Sequence, residues 1–305
     1  MARLVADFET AHCDVIHDSQ LDNYGQVLAT ASADGHIRLW DVSEPSTPGL
    51  LADLGEHDGP VHQVCWAPIG VGVLLASAGS DGCVRIWGQM KKGTWHTLRC
   101  ENFGRHGALL AVAWAPAEHG AAVACASADG TITVLAHQGA VWRGDGIADH
   151  HWNCVGHPFQ AHRGEANAVS WWQPAASDRP LGLSGARMAS AGDDGVSVWR
   201  WDGGTWCREA QDAGAPGTRD VAWKPWDGKQ EMLAAAVDES VAFWLEGESG
   251  WSISQRIQIG RPVFRVQWLE MGNLLLLSCG GGCEATILMK QRLSGEWDIM
   301  DVDET

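Results

Sequence analysis

Positive charge is scarce in this chain: 21 Lys and Arg stand against 38 Asp and Glu, a formal net charge of −17 over 305 residues. Nucleic-acid binding needs a basic stripe to displace counterions from phosphate, so that function class is disfavoured. Adhesion to an anionic membrane surface needs the same sign of charge and is disfavoured with it. The opening residues, Met-Ala-Arg-Leu-Val-Ala-Asp-Phe-Glu, lack the apolar stretch of a signal peptide. The longest apolar runs, around Val71–Ala78 and Leu274–Leu277, are too short to cross a bilayer. No long amphipathic helical pattern occurs. Nine cysteines, an odd number at scattered positions, form no disulfide framework and read as reduced thiols of a cytosolic or nuclear protein.

Tryptophan is what the chain has in abundance. Fourteen of its 18 tryptophans fall into three series spaced mostly 44 to 48 residues apart. The first ends an apolar stretch: Trp40, Trp87, Trp199 and Trp244, with Leu135 and Leu288 filling two further slots. The second, mostly followed by Pro, runs Trp66, Trp114, Trp171, Trp223 and Trp268. The third is Trp95, Trp142, Trp206, Trp251 and Trp297. A period of this size is the mark of a β-propeller with one four-stranded blade per repeat. Six blades use up the chain, at about 11–55, 56–104, 105–160, 161–212, 213–259 and 260–301, in one all-β domain over 1–305.

Asp-Gly between short strands marks a hairpin at Asp34-Gly35, Asp81-Gly82, Asp129-Gly130 and Asp194-Gly195, weakening to Asp238-Glu239. A loop His, a strand Ser or Thr and a strand Trp recur beside the turn Asp. The sets are His12, Thr30, Asp34 and Trp40; His57, Ser77, Asp81 and Trp87; and His162, Ser190, Asp194 and Trp199, with one residue deleted before Trp199. Each resembles a catalytic triad, but recurrence in every blade would scatter several buried sites. The set therefore reads as a structural tetrad of donors and acceptors. Blade 3 keeps His106 and Asp129 with Cys125 and Leu135, and blade 5 has Ala234 and no His.

Gly144–Gln160 and Gln173–Ala186 stretch the period to 64 between Leu135 and Trp199 and read as surface loops. The first contains His150, His151, Cys154 and His157, a set with metal-ligand chemistry. No second ligand pair stands in fixed relation to it, so a polar loop is expected and no metal. Cys279 and Cys283 flank three glycines, one residue longer than a redox Cys-x-x-Cys. Gly280–Gly282 lacks the Lys-Ser/Thr of a phosphate loop. The expectation is a protein that is not an enzyme and carries no cofactor. Two rivals are a closed-ring peptide-binding adaptor and a metal-dependent hydrolase using the His150–His157 loop.

Blade 1, HCDVIHDSQLDNYGQVLATASADGHIRLWDV, resembles the opening repeat of the Sec-thirteen family of WD-repeat coat subunits. That repeat carries His-Asp-x-Gln-x-Asp where a standard unit has its first Trp, here His17, Asp18, Gln20 and Asp22. The likeness continues through Ala52–Pro68, Ala111–Gly120, Asn167–Pro174 and Arg219–Pro225, and the insertion at Gln173–Ala186 falls where the family has one. Departures are a glycine-rich last blade, Leu288 in a tryptophan slot and the acidic end Asp301–Glu304. The paralogous Seh-one pore subunit is the next nearest resemblance. The family resemblance implies an open six-bladed propeller completed by a seventh blade from a partner. That partner is a Sec-thirty-one-type subunit of the COPII outer coat or a nucleoporin of the nuclear-pore Y-complex. It implies a peripheral place on COPII vesicles and endoplasmic reticulum, and at the nuclear envelope, without membrane insertion. Candidates for the partner-blade interface are Leu4, Val5 and Phe8 before blade 1, and Leu275, Leu277, Ile287 and Met289 in blade 6.

Overall fold

The computed structural model describes residues 8–44, 46–91, 93–137, 152–174, 182–212, 216–248, 250–269, 271–280, 286–292 and 294–300. Leu4, Val5, Trp142, His150, His151, Gly281, Gly282, Cys283 and Asp301–Glu304 lie outside them. The described residues form six antiparallel sheets, each built on four strands in sequence order, and the third carries an additional short strand. These are the blades of a six-bladed β-propeller. No α-helix occurs among the described residues, only 3-10 turns at Gly104–His106 and Ala117–His119. The chain groups into two compact units, Arg3–Phe159 with blades 1–3 and Gln160–Thr305 with blades 4–6.

Blade 2 shows the pattern: Val61–Trp66, Leu74–Gly79, Cys83–Lys91 and Thr94–Asn102. Its second hairpin turns on Gly82, whose φ of 71° favours glycine and whose Cβ, if present, would sit 2.7 Å from Gly104 Cα. In blade 5, Asp238 takes the left-handed conformation instead (φ 54°), which a short polar side chain tolerates. Two bulges recur. One interrupts the first strand, as between Val61 and Gln63; the other falls just before the third-strand tryptophan, as between Ile86 and Trp87. Each adds local twist where adjacent blades stack.

Strand alternation then gives every blade two faces. In blade 2, Val64, Leu75 and Trp87 pack back against Ala29, Ala31, Ile37 and Leu39 of blade 1. Leu74, Ala76, Ala78, Val84 and Ile86 pack forward with Leu109, Val112, Val123 and Cys125 of blade 3. Blades 5 and 6 stack the same way: Leu275, Leu277 and Met289 pack back on Met232, Ala234, Val241 and Phe243.

Register corrects three slot assignments. The fourth strand of blade 3 is Trp152–Cys154, with Trp152 opposite His137, so Trp152 holds the third-series slot expected for Trp142. The long insertion precedes this strand rather than following it. In blade 5, Leu233 pairs with Trp244 as Leu75 pairs with Trp87, so Ala235 rather than Ala234 stands where blade 2 has Ser77. In blade 6, Met289 rather than Leu288 lies opposite Leu275 and takes the tryptophan slot.

Candidate functional site

The tetrads are hydrogen-bonded chains running from strand to loop. In blade 4, Trp199 Nε1 donates to Ser190 Oγ (2.9 Å), Ser190 lies 2.8 Å from His162 Nε2, and His162 Nδ1 faces Asp194. One neutral tautomer satisfies every link: indole to hydroxyl, hydroxyl to Nε2, Nδ1–H to carboxylate. Burial lowers the pKa of His162 despite the neighbouring Asp194, consistent with a neutral ring. Blade 2 repeats the chain through Trp87, Ser77 and His57 to Asp81, which Arg85 also binds at 2.8 Å. Blade 1 repeats it through Trp40, Thr30 and His12 to Asp34. Burial raises the Asp34 and Asp81 pKa values. Hydrogen bonds from Cys13 N–H and His12 to Asp34, and from His57 and Arg85 to Asp81, outweigh it and hold both well below the usual carboxylate range. In blade 3 only the His106–Asp129 link stands, at 2.7 Å, with buried Cys125 and Leu135 replacing hydroxyl and indole. Ser77 and Ser190 are fully buried and their hydroxyls engaged within the chain. A substrate has no approach to them.

The second tryptophan series joins blades, a role that periodicity alone does not reveal. Trp66 Nε1 donates to Gln20 O, Trp114 Nε1 to Cys65 O and Trp268 Nε1 to Ala222 O, each at 3.0 Å. Each acceptor lies on the first strand of the preceding blade. Within a blade the same indole stacks edge-on against the fourth-strand tryptophan, as in Trp66–Trp95, Trp114–Trp152 and Trp268–Trp297.

The His-Asp-x-Gln-x-Asp stretch ties blade 1 to blade 2. His17 Nδ1–H donates to Val61 O (3.0 Å), and Asp18 accepts the Val64 N–H (3.1 Å). Gln20 O receives Trp66, and Asp22 caps the hairpin through the Gln26 and Val27 N–H groups. Asn23 adds a bond to Ala67 O at 2.8 Å.

The backward face of blade 1 and the forward face of blade 6 differ from the faces just described. Blade 1 has Leu21, 56% exposed, where blades 2, 3 and 6 place the tryptophan that reaches a preceding blade. Ile16 and Leu50 on the same face are also exposed, and Phe8 packs on Trp40 with ring centroids 5.2 Å apart. On blade 6 the forward face of the two middle strands includes Leu274, Leu276, Ser278, Thr286 and Leu288. The three leucines are half-buried and Ser278 and Thr286 exposed, whereas their blade 2 counterparts are at most 1% exposed.

Of the candidate interface residues, Leu275, Leu277 and Met289 are wholly buried against blade 5, and Ile287 packs on the same core. The alternation expected from the sequence is one residue out of step with the observed pairing. A shift of one residue exchanges the faces of a strand, so the uncovered leucines are the odd-numbered set's neighbours Leu274, Leu276 and Leu288. Among the described residues no group of three or more His, Cys, Asp or Glu could hold a metal ion. Cys154 is exposed on the fourth strand of blade 3.

Stacked four-stranded blades with tryptophan-anchored tetrads define a WD-repeat β-propeller. The model for the WD domain, G-beta repeat, matches residues 3–41 and 49–88. A chain in the crystal structure of the mitotic checkpoint complex shares the fold, with TM-score 0.64 and 20% identity over 90% of this chain and 73% of that one. The SEC13 homolog of Drosophila melanogaster is 32% identical over 97% of this chain and 83% of its own length. Protein transport protein SEC13 of Yarrowia lipolytica is 34% identical over 96% of this chain and 97% of its own. Protein transport protein SEC13 homolog A of Arabidopsis thaliana is 35% identical, covering 97% and 98%. The chain belongs to the SEC13 family.

Proposed function

We propose that this chain is a non-catalytic structural subunit in protein transport that completes itself on a partner. The observation that carries the reading is the forward face of blade 6, where Leu274, Leu276 and Leu288 remain half-exposed while equivalent positions of blade 2 are sealed. A soluble protein does not leave an apolar sheet face bare. A partner strand set packing there as a seventh blade covers it and extends the propeller by one unit. An interface of that kind buries on the order of 2,000 Å² and makes the complex nearly permanent. The names of the relatives support a transport role. The partner is then a Sec-thirty-one-type subunit of the COPII outer coat, with a Y-complex nucleoporin as a second client of the same face. The propeller acts by stiffening the elongated chain that donates the blade.

Affinity purification of the tagged chain from its own cells tests this. A coat subunit should co-purify in stoichiometric amount, and deleting its blade-donating segment should abolish capture. Recovery of the chain free of any stoichiometric companion counts against the reading.

A further inference from the structure

In blades 1, 2 and 5 one first-strand side chain accepts a backbone N–H from the blade that follows. Asp18 receives Val64 at 3.1 Å, Gln63 receives Val112 at 2.8 Å and Asp220 receives Val266 at 2.9 Å. The three occupy one register position, just after the first-strand bulge, opposite Ala31, Ala78 and Ala236 respectively. In blade 6 that position, opposite Ser278, is Arg265. An acceptor has become a side chain that only donates. A following strand cannot dock on blade 6 by offering its N–H there, as strands do elsewhere in the chain. Blades 3 and 4 have alanine at this position, Ala111 and Ala168, so blade 6 alone presents an obligate donor there, and an acceptor on the incoming strand answers it.

The surroundings say which kind. The Arg265 side chain is half-buried and makes no hydrogen bond or ion pair with another described residue. Lys290, opposite Leu274, adds a second cation to the same face. Asp298, beside Lys290, is engaged by Arg292. Two cations thus frame Leu274, Leu276 and Leu288 in a chain whose net charge is −17. The guanidinium fork matches a carboxylate better than a single carbonyl, and a half-buried position strengthens that pairing.

We propose that the segment seated on the forward face of blade 6 is an acidic strand of another chain, apolar at alternate positions, with a carboxylate that receives Arg265. This rests on the blade-acceptor reading above and specifies the chemistry of the occupant.

The test uses the complex as purified from cells by a tag on the full chain, with Arg265→Glu, Arg265→Gln and Leu276→Asp as variants. Zero-length carbodiimide coupling, which joins an amine to a carboxylate, should link Lys290 to an Asp or Glu in a strand-forming segment of the co-purified chain. Arg265→Glu should lower co-purification at least about tenfold, Arg265→Gln less, and an Asp/Glu→Lys change at the carboxylate of the linked segment that faces Arg265, a different one from that coupled to Lys290, should restore binding to Arg265→Glu. Lys290 coupling only to carboxylates of this chain, Asp298 or those of residues 301–305, would overturn the proposal. So would Arg265→Glu binding as well as the unaltered chain while Leu276→Asp does not, although the acceptor blade itself would then stand. If Leu276→Asp also binds normally, the blade-acceptor reading fails with it.

Discussion

Leu276 pairs across the sheet with Leu288, and both point away from blade 5, while Leu275 and Leu277 beside them are wholly buried against it. Adjacent residues of one strand therefore answer to different tests. Leu276→Asp with Leu288→Asp should abolish partner capture while far-UV circular dichroism keeps its strand signature. Leu277→Ala should leave capture specificity intact and cost about 2–5 kcal/mol of stability, read as an earlier thermal transition of the purified complex.

Ser190 is the hinge of the blade 4 tetrad, since Trp199 donates to it and His162 accepts from it. Ser190→Ala strands two buried polar atoms at once and should cost about 1–3 kcal/mol. Ser190→Thr should recover most of that, because Thr30 performs the same task in blade 1. Denaturant midpoints of the three proteins, compared under one set of conditions, decide it.

Stability should fall in two steps as pH drops. Burial holds the His162 pKa below its ordinary value, so the folded state gains a proton there less readily than the unfolded chain. That contribution is full above about pH 6.5 and is lost as pH falls from there through the folded value. The carboxylates of Asp34, Asp81, Asp129 and Asp194 are lowered, so their contribution is present above about pH 4 and is lost below it. Melting temperature measured from pH 8 to pH 3 should begin to decline near the first value and steepen at the second. A His162→Gln variant should lose the upper limb and keep the lower.

Arg187 is buried within cation–π reach of the mutually perpendicular rings of Trp223 and Trp251, bonded through Nε to Glu209 and through both terminal nitrogens to Glu246. The two carboxylates are partly exposed and can regain water when the arginine is removed. Arg187→Met should therefore cost about 1–3 kcal/mol rather than the larger sum expected for a fully enclosed ion pair. Arg187→Lys should recover little, since an ammonium cannot fork to both acids while it sits over the indole rings. Thermal unfolding of both variants gives the comparison.

Periodicity made the blades legible because each needs the same tryptophans in the same places, and the Asp-Gly turns fixed hairpins that recur at Gly35, Gly82 and Gly130 with positive φ. What periodicity does not carry is parity. A first-strand bulge in every blade, joined in blades 1, 2, 4 and 5 by a second before the third-strand tryptophan, shifts the register. At Leu275 or Ala234 one residue decides which neighbour a side chain meets. Nor does the sequence say what a tryptophan donates to. Trp66 and Trp87 look alike in their repeats, yet one reaches the Gln20 carbonyl of another blade and the other a serine on the adjacent strand of its own. The exposed Leu21 was the available signal for the backward face of blade 1, as the one member of its series too apolar to donate.

The hydrodynamic state of the full chain expressed by itself tests the acceptor blade most directly. Size-exclusion chromatography with light scattering should show no stable monodisperse monomer, and co-expression with the partner that co-purifies from cells should convert the chain into a one-to-one complex with a sharp melting transition. A chain that runs alone as a soluble, monodisperse monomer and melts as sharply as the complex would contradict it.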